Sequence, residues 1–241
     1  MQLPFFYIAQ HDPSQEKITL DEDTSYHVVQ VLRMRAGEKL NLTDGKGNLI
    51  TAGIIVEHKK HCTVQVETSV YQPSSSKANG KGKSTIAISL LKNNSRFEWF
   101  LEKATEIGID EILPLICSRT QKQKFRGDRM RGICISAMLQ SQQCWLPLLH
   151  EPLAYELVFR QEDLKDISQR FIAHCLDDNK QSISGIQPFQ DSIVLIGPEG
   201  DFTQTEIDLA LRHQFVPVTL GETRLRTETA GIVAAALLTV H

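Results

Sequence analysis

Two short polar stretches near the end of the chain combine residue types that can bind and polarise a ligand. The first, Gly197-Pro198-Glu199-Gly200, follows the β-rich run SIVLI and precedes the helix-like TQTEIDLALRH. Glycines at a strand end let a ligand approach the backbone, and Glu199 adds a carboxylate able to accept a proton or a hydrogen bond. The second, LGETRLRTETAG at residues 220–231, sets Arg224, Arg226, Glu222 and Glu228 between a strand-like VPVTL and the apolar AGIVAAALL. A guanidinium can stabilise negative charge developing on a substrate oxygen, and a neighbouring glutamate can assist proton removal or hold the guanidinium in place. An apolar helix must be covered on every side, while unpartnered charges are costly to bury. The charged loop is therefore expected at the rim of a covered surface, as a binding loop beside an interface between two copies of the chain.

Some familiar ligand patterns are missing. No strand end carries G-x-G-x-x-G, which disfavours a dinucleotide cofactor. The GKGKS of residues 80–84 is not a phosphate-binding P-loop, since Lys77 stands where that pattern needs glycine and the strand follows the loop. The five cysteines, Cys62, Cys117, Cys134, Cys144 and Cys175, include no C-x-x-C pair, which fits reduced thiols. HKKHC at residues 58–62 reads as a polar turn between strands, and no metal is expected. No N-terminal signal pattern or membrane-length apolar run is seen, so a cytoplasmic protein is expected.

Charge is unevenly distributed. The chain's formal net charge is -3, yet residues 73–131 hold twelve Lys and Arg against six Asp and Glu. Within that segment RTQKQKFRGDRMR offers Arg119, Lys122, Lys124, Arg126, Arg129 and Arg131 against Asp128 alone. Such a cluster attracts a phosphate-rich partner with salt-sensitive affinity, although a solvated helix face has the same composition.

The elements that must position these residues fall into two kinds. Residues 1–71 read as short strands: KLNLTDGKGNLITAGIIVE places the turn-forming DGKG between two β-rich runs, and CTVQVETSV supplies a third. One helix is expected in DTSYHVVQVLRMR, capped by Asp23 or Thr24, with Val28, Val31 and Leu32 on one face. This is a small β-barrel pattern. Residues 72–84, QPSSSKANGKGKS, read as a linker. From residue 85 to 241 strands and helices alternate, which predicts a mainly parallel α/β sheet. Thr203 and Glu206 form a capping box for one helix, and Thr227 or Thr229 is expected to cap the last. In SRFEWFLEKATEIG, Phe97, Phe100, Leu101 and Ala104 share a face and Gly108 marks the stop. At 241 residues and 41% hydrophobic content the chain can bury a core in one or two domains.

LIGPEGDFTQTEID and LGETRLRTETA resemble the GPEGG and LG-x-x-x-LR-TETA motifs of the RsmE family, 16S ribosomal RNA uridine-N3 methyltransferases of the SPOUT class. EKATEIGIDEILPL and HVVQVLRMRAGE are similar to two further segments of that family, so the resemblance spans most of the chain. It implies a PUA-like β-barrel that helps hold RNA, followed by a SPOUT-type parallel α/β sheet with a C-terminal trefoil knot. It also implies a homodimer, S-adenosyl-L-methionine as cofactor, and 16S ribosomal RNA in the small subunit or its precursor as substrate. Carried over by motif, Ile196, Gly197, Pro198, Glu199 and Gly200 would form one wall of the cofactor pocket, and Leu220, Gly221, Leu225, Arg226 and Thr227 the other. Arg226 is the candidate for stabilising charge on the uracil, with Glu199, Glu228 or water as base. Arg33, Arg35, Arg119, Lys122, Lys124 and Arg126 would contact phosphates. Asp201 replaces the motif's second glycine, and Leu139-Gln140-Ser141-Gln142-Gln143 stands where family members often have EQSGR. The same chemistry on another RNA base, or a dimeric RNA-binding protein without catalysis, are the competing readings.

Overall fold

Asp44-Gly45-Lys46-Gly47 reverses the chain between β3 (Lys39–Thr43) and β4 (Asn48–Val56), as the DGKG signal predicts. Gly45 and Gly47 have φ of 70° and 97°, and a Cβ on Gly47 would lie 2.7 Å from the Gln72 carbonyl oxygen. Glycine meets both demands because it has no Cβ to strain or clash. The Asp44 Oδ1 closes the turn by accepting from the Lys46 N–H at 2.8 Å. A computed structural model of the protein describes residues 3–74, 76, 80–121, 124–176, 180–183 and 190–239. Two units are distinguished, Met1–Ser74 with Met138–Leu146, and Ser75–Ala137 with Pro147–His241.

In the first unit the strands run in the order β1-β3-β4-β5-β2, with β1 (Phe5–Tyr7) parallel to β3 and the other pairs antiparallel. β5 is Thr63–Tyr71 and β2 is Lys17–Thr19. Leu40, Leu42, Ile50, Ala52, Ile54 and Val64 point inward and are almost fully buried. Residues 58–62 are the turn joining β4 to β5, as expected. The expected helix is present but begins differently: α1 (Glu22–Tyr26) is capped by Asp21, whose Oδ1 accepts from the Thr24 N–H at 2.7 Å, rather than by Asp23 or Thr24. It continues as a π-helical turn over His27–Val31, where Leu32 N–H reaches back to the His27 carbonyl at 2.9 Å. This wider turn advances each residue by less than an α-helix does. Val28 and Val29 are consequently buried, while Val31 and Leu32, expected on the buried face, are exposed.

The second unit is built on a sheet of order β11-β13-β10-β12-β6-β7-β8, with β9 also on β7, and every pairing among the described residues is parallel. Its members are β6 (Ser84–Ser89), β7 (Glu111–Ile116), β8 (Leu148–Leu149), β9 (Leu153–Ala154), β10 (Gln169–Ala173), β11 (Gln181–Ser182), β12 (Ser192–Ile196) and β13 (Val216–Thr219). β6 and β12 are buried along their whole length, which is why Ile86-Ala87-Ile88 and Ile193-Val194-Leu195-Ile196 are continuously apolar rather than alternating. α2 (Asn94–Ile107) starts at an Asn93 cap and stops at Gly108 in the left-handed region, burying Phe97, Phe100, Leu101 and Ala104 as its spacing predicts. α3 spans Gly127–Gln140, and the short α4 and α5 span Tyr155–Val158 and Glu162–Lys165. α6 (Gln204–Arg212) carries the predicted capping box of Thr203 and Glu206.

The final helix, α7 (Thr227–Thr239), leaves β13 and packs on β6, β12 and α2. A Cβ on Gly231 would lie 2.7 Å from the Phe100 ring and 2.8 Å from Ile88, so a glycine is what allows this close approach. The expected threonine cap is not how α7 begins. Ala230 N–H bonds to the Arg226 carbonyl at 2.7 Å, which puts Arg226 just ahead of the helix and Thr227 in its first turn.

Candidate functional site

β10, β12 and β13 are adjacent parallel strands, so their carboxyl ends, at Ala173, Ile196 and Thr219, lie side by side. Ligands of open α/β sheets bind at such ends, where loops leave the sheet and backbone groups become available. Two adjoining cavities of about 310 and 410 Å³ open there, and both are bordered by Ala173, Cys175, Arg224, Leu225 and Ala230. The first is also lined by Ile196, Gly197, Pro198, Glu199, Arg226 and Thr227, and the second by Leu220 and Gly221. The structure thus gathers nine of the ten motif residues expected to hold the cofactor into one cleft.

The tenth, Gly200, does not line it: its carbonyl accepts from the Arg119 guanidinium at 2.6 Å, and a Cβ there would stand 3.3 Å from that side chain. Gly197 is confined more tightly, with the Phe202 ring 3.0 Å and the Phe202 nitrogen 3.1 Å from where a Cβ would be. A side chain at 197 would require the Phe202 ring or backbone to give by a few tenths of an ångström, so glycine suits this tight fold of the loop. Gly221 adopts φ of 148°, a conformation side chains rarely take, and lets the second loop turn toward α7.

The charged groups differ in how far they are committed. Glu199 is exposed, lines the cleft, and accepts from the Lys92 N–H at 3.1 Å. Glu228 is buried outside the cleft lining, with Oε1 3.6 Å from Arg96 Nε and Oε2 lacking a hydrogen-bond partner. Neither glutamate is paired with Arg224 or Arg226. Those two guanidinia are exposed and make no ion pair or side-chain hydrogen bond among the described residues. They are free to meet an incoming negative charge. Arg96 entered no sequence reading; only its position at the start of α2, opposite the first turn of α7, brings it to Glu228.

Sequence reasoning missed Ala173, Cys175 and Ala230 as cleft residues, while Arg224 and Asp201, singled out within the two motifs, do line it. Asp201 has φ of 64°, a left-handed conformation that glycine prefers and aspartate tolerates. Its Oδ2 accepts from the Cys175 N–H and its Oδ1 from the Phe202 N–H, both at 2.8 Å, tying the loop after β10 to the loop after β12. The Cys175 thiol is pushed above its ordinary value by burial and then by the Asp201 charge.

Of the expected phosphate contacts, Arg33 and Arg35 are exposed in the first unit, where Arg35 Nη1 lies 3.4 Å from Glu57. In the second unit Lys124 and Arg126 are exposed. Arg119 is exposed too, yet its guanidinium reaches the carbonyls of Gly200 and Phe202. Lys122 lies outside the described residues. No helix among the described residues is long and apolar enough to cross a membrane.

Comparison with known proteins adds an independent line. A family profile described as an RNA methyltransferase domain matches residues 78–239, and one described as an RNA methyltransferase PUA domain matches residues 20–67. The chain is 35% identical over 158 residues to Ribosomal RNA small subunit methyltransferase E of Mesomycoplasma hyopneumoniae, covering 63% of this chain and 67% of that one. It is 26% identical over 233 residues to the protein of the same name from Rickettsia conorii, covering 95% and 92%. Among solved structures, a probable rRNA-methyltransferase from Porphyromonas gingivalis superposes with a TM-score of 0.88 at 36% identity, covering 99% of both chains. A Ribosomal RNA small subunit methyltransferase E from Neisseria gonorrhoeae, bound to S-adenosyl methionine, gives 0.85 at 26% identity, covering 99% and 98%.

Proposed function

The chain belongs to the ribosomal RNA small subunit methyltransferase E family, and from that premise we propose that it methylates N3 of a uridine in 16S ribosomal RNA. It is an S-adenosylmethionine-dependent RNA methyltransferase with a PUA-like domain ahead of a SPOUT-type sheet. The observation that carries the reading is the cleft at the ends of β10, β12 and β13, where both signature loops meet. Its features fit the cofactor: the glycine at 197 leaves room for close approach to the backbone, and carboxylates at 199 and 201 suit a cationic ligand.

The cofactor supplies a methyl group already activated on a sulfonium. What remains for the protein is to remove the N3 proton, stabilise the resulting uracil anion and hold N3 in line with the methyl carbon. Arg226, unpaired and lining the cleft, stabilises negative charge on a uracil carbonyl oxygen. Glu199 is the accessible carboxylate for proton removal, directly or through a water, while Glu228 holds the start of α7 against Arg96. The cofactor is held by Ile196, Gly197 and Pro198 on one side and by Leu220, Gly221, Leu225 and Thr227 on the other. Gly200 supports this wall through its bond to Arg119.

Arg33, Arg35, Arg119, Lys122, Lys124 and Arg126 remain our candidates for phosphate contacts, with residues 1–71 as the RNA-holding domain, 72–84 as linker and 85–241 as the catalytic domain. The family-profile limits of 20–67 and 78–239 support that division. A homodimer is proposed because Ile232, Val233, Ala236 and Leu237 leave an apolar face of α7 partly uncovered. The return of α7 from β13 to β6 is compatible with the trefoil knot. Such an enzyme works in the cytoplasm, where its substrate is assembled. Mass spectrometry of ribosomal RNA from a strain lacking this gene is expected to show loss of one N3-methyluridine in 16S RNA; an unchanged nucleoside profile refutes the proposal.

A further inference from the structure

We infer that Asp201 makes the cleft discriminate by charge between the cationic methyl donor and the neutral product left after transfer, an inference that rests on the proposed reading of the cleft. Asp201 lines the cavity and its carboxylate is fixed from both sides, Oδ2 accepting from the Cys175 N–H and Oδ1 from the Phe202 N–H, each at 2.8 Å. Its own N–H donates to the Pro198 carbonyl at 2.9 Å. It makes no ion pair among the described residues. The charge is felt inside the cleft: it contributes to raising the Cys175 thiol, against the opposing effect of Arg224.

During transfer the S–CH3 bond breaks and the N3–CH3 bond forms, using the electron pair left on N3 when its proton departs. The S–C electron pair stays on sulfur, which passes from a sulfonium to a neutral thioether. Donor and product therefore differ by one methyl group and one positive charge. The free guanidinia of Arg224 and Arg226 bias the cleft toward the neutral product, and a fixed carboxylate offsets that bias. An attraction on the order of 1 kcal/mol, the scale for unit charges meeting in a solvated cleft, favours the sulfonium by about fivefold. Asp201 is thus a specificity-determining residue for the cofactor, with no part in proton removal.

Two variants separate charge from loop geometry. Asp201→Asn tolerates the left-handed backbone and retains one acceptor, whereas Asp201→Gly suits φ of 64° and retains none. Calorimetry with S-adenosylmethionine, with its demethylated thioether product, and with an analogue bearing an ammonium in place of the sulfonium reads the effect directly. Expected in both variants is a drop of about fivefold in preference for the two cationic ligands over the thioether, with thioether affinity held within about twofold. Product inhibition in methyl-transfer assays strengthens in parallel. An unchanged preference overturns the inference. So does equal weakening toward all three ligands, which would make Asp201 a loop tether only. A wild-type protein that binds none of them overturns the reading of the cleft itself.

Discussion

Replacing Arg226 with alanine tests the catalytic reading most directly, because the structure separates its effect on chemistry from its effect on stability. The side chain is exposed and has no ion pair or hydrogen bond among the described residues, so its removal leaves no buried group unsatisfied. Surface substitutions of this kind change stability by about 0.5 kcal/mol or less. The backbone carbonyl that accepts from Ala230, and so starts α7, is retained in the variant. Loss of a group that stabilises developing negative charge typically costs about 100- to 1000-fold in turnover, equivalent to about 2.7–4 kcal/mol. Arg226→Ala is therefore expected to lower kcat by that factor while its melting temperature and association state stay near wild type. Arg226→Lys keeps the charge but loses the planar fork, and should recover only part of the rate. Single-turnover transfer of a labelled methyl group to 30S subunits measures the chemistry, and differential scanning fluorimetry measures the stability. Turnover within threefold of wild type would refute the role assigned to Arg226; a matching loss of stability would show that the side chain holds the loop instead.

Three further outcomes follow from the geometry. Gly197→Ala places a methyl 3.0 Å from the Phe202 ring and 3.1 Å from its nitrogen, so the ring or the loop must give by a few tenths of an ångström; cofactor affinity measured by calorimetry should fall, at a stability cost of about 1–3 kcal/mol. Neutralising Lys122, Lys124 and Arg126 together should weaken RNA binding and flatten the slope of log K against log salt by up to about three, and an unchanged slope would move the RNA footprint elsewhere. Burial would raise the Glu111 carboxyl, but hydrogen bonds from His150 and Lys83 outweigh it and hold the group below its ordinary value. A carboxyl lowered on folding stabilises the protein above its unfolded value, about 4.3, and that contribution is lost as pH falls through the folded value. Acid titration of Glu111→Gln should accordingly show lower stability at neutral pH and a shallower decline below about pH 4.5 than the wild type.

Much of this was legible in the residues themselves because the signals are local. DGKG between alternating runs specified a hairpin, Thr203 with Glu206 specified a helix start, and Phe97, Phe100, Leu101 and Ala104 specified a buried face ended by Gly108. The two signature loops were visible for the same reason, since their glycines and charges are contiguous in the chain. Where a local rule failed, a neighbouring interaction had prevailed. The π-helical turn after α1 exposed Val31 and Leu32 in favour of Val29, because a single five-residue turn shifts every later side chain around the axis. Capping chemistry likewise misplaced the start of α7, where the chain enters through Arg226.

The sequence by itself determined the alternation of strands and helices, the apolar tail, the placement of glycines at strand ends and the family to which these motifs belong. Only the tertiary structure decided that β10 lies between β12 and β13, which brings Cys175 and Asp201 into the cleft beside Arg224. It alone paired Glu228 with Arg96 and Glu199 with the Lys92 backbone, leaving Arg224 and Arg226 unengaged. The reason is physical: hydrogen-bonding and helical preferences act over a few residues, whereas strand order and charge pairing are set by which distant surfaces bury one another.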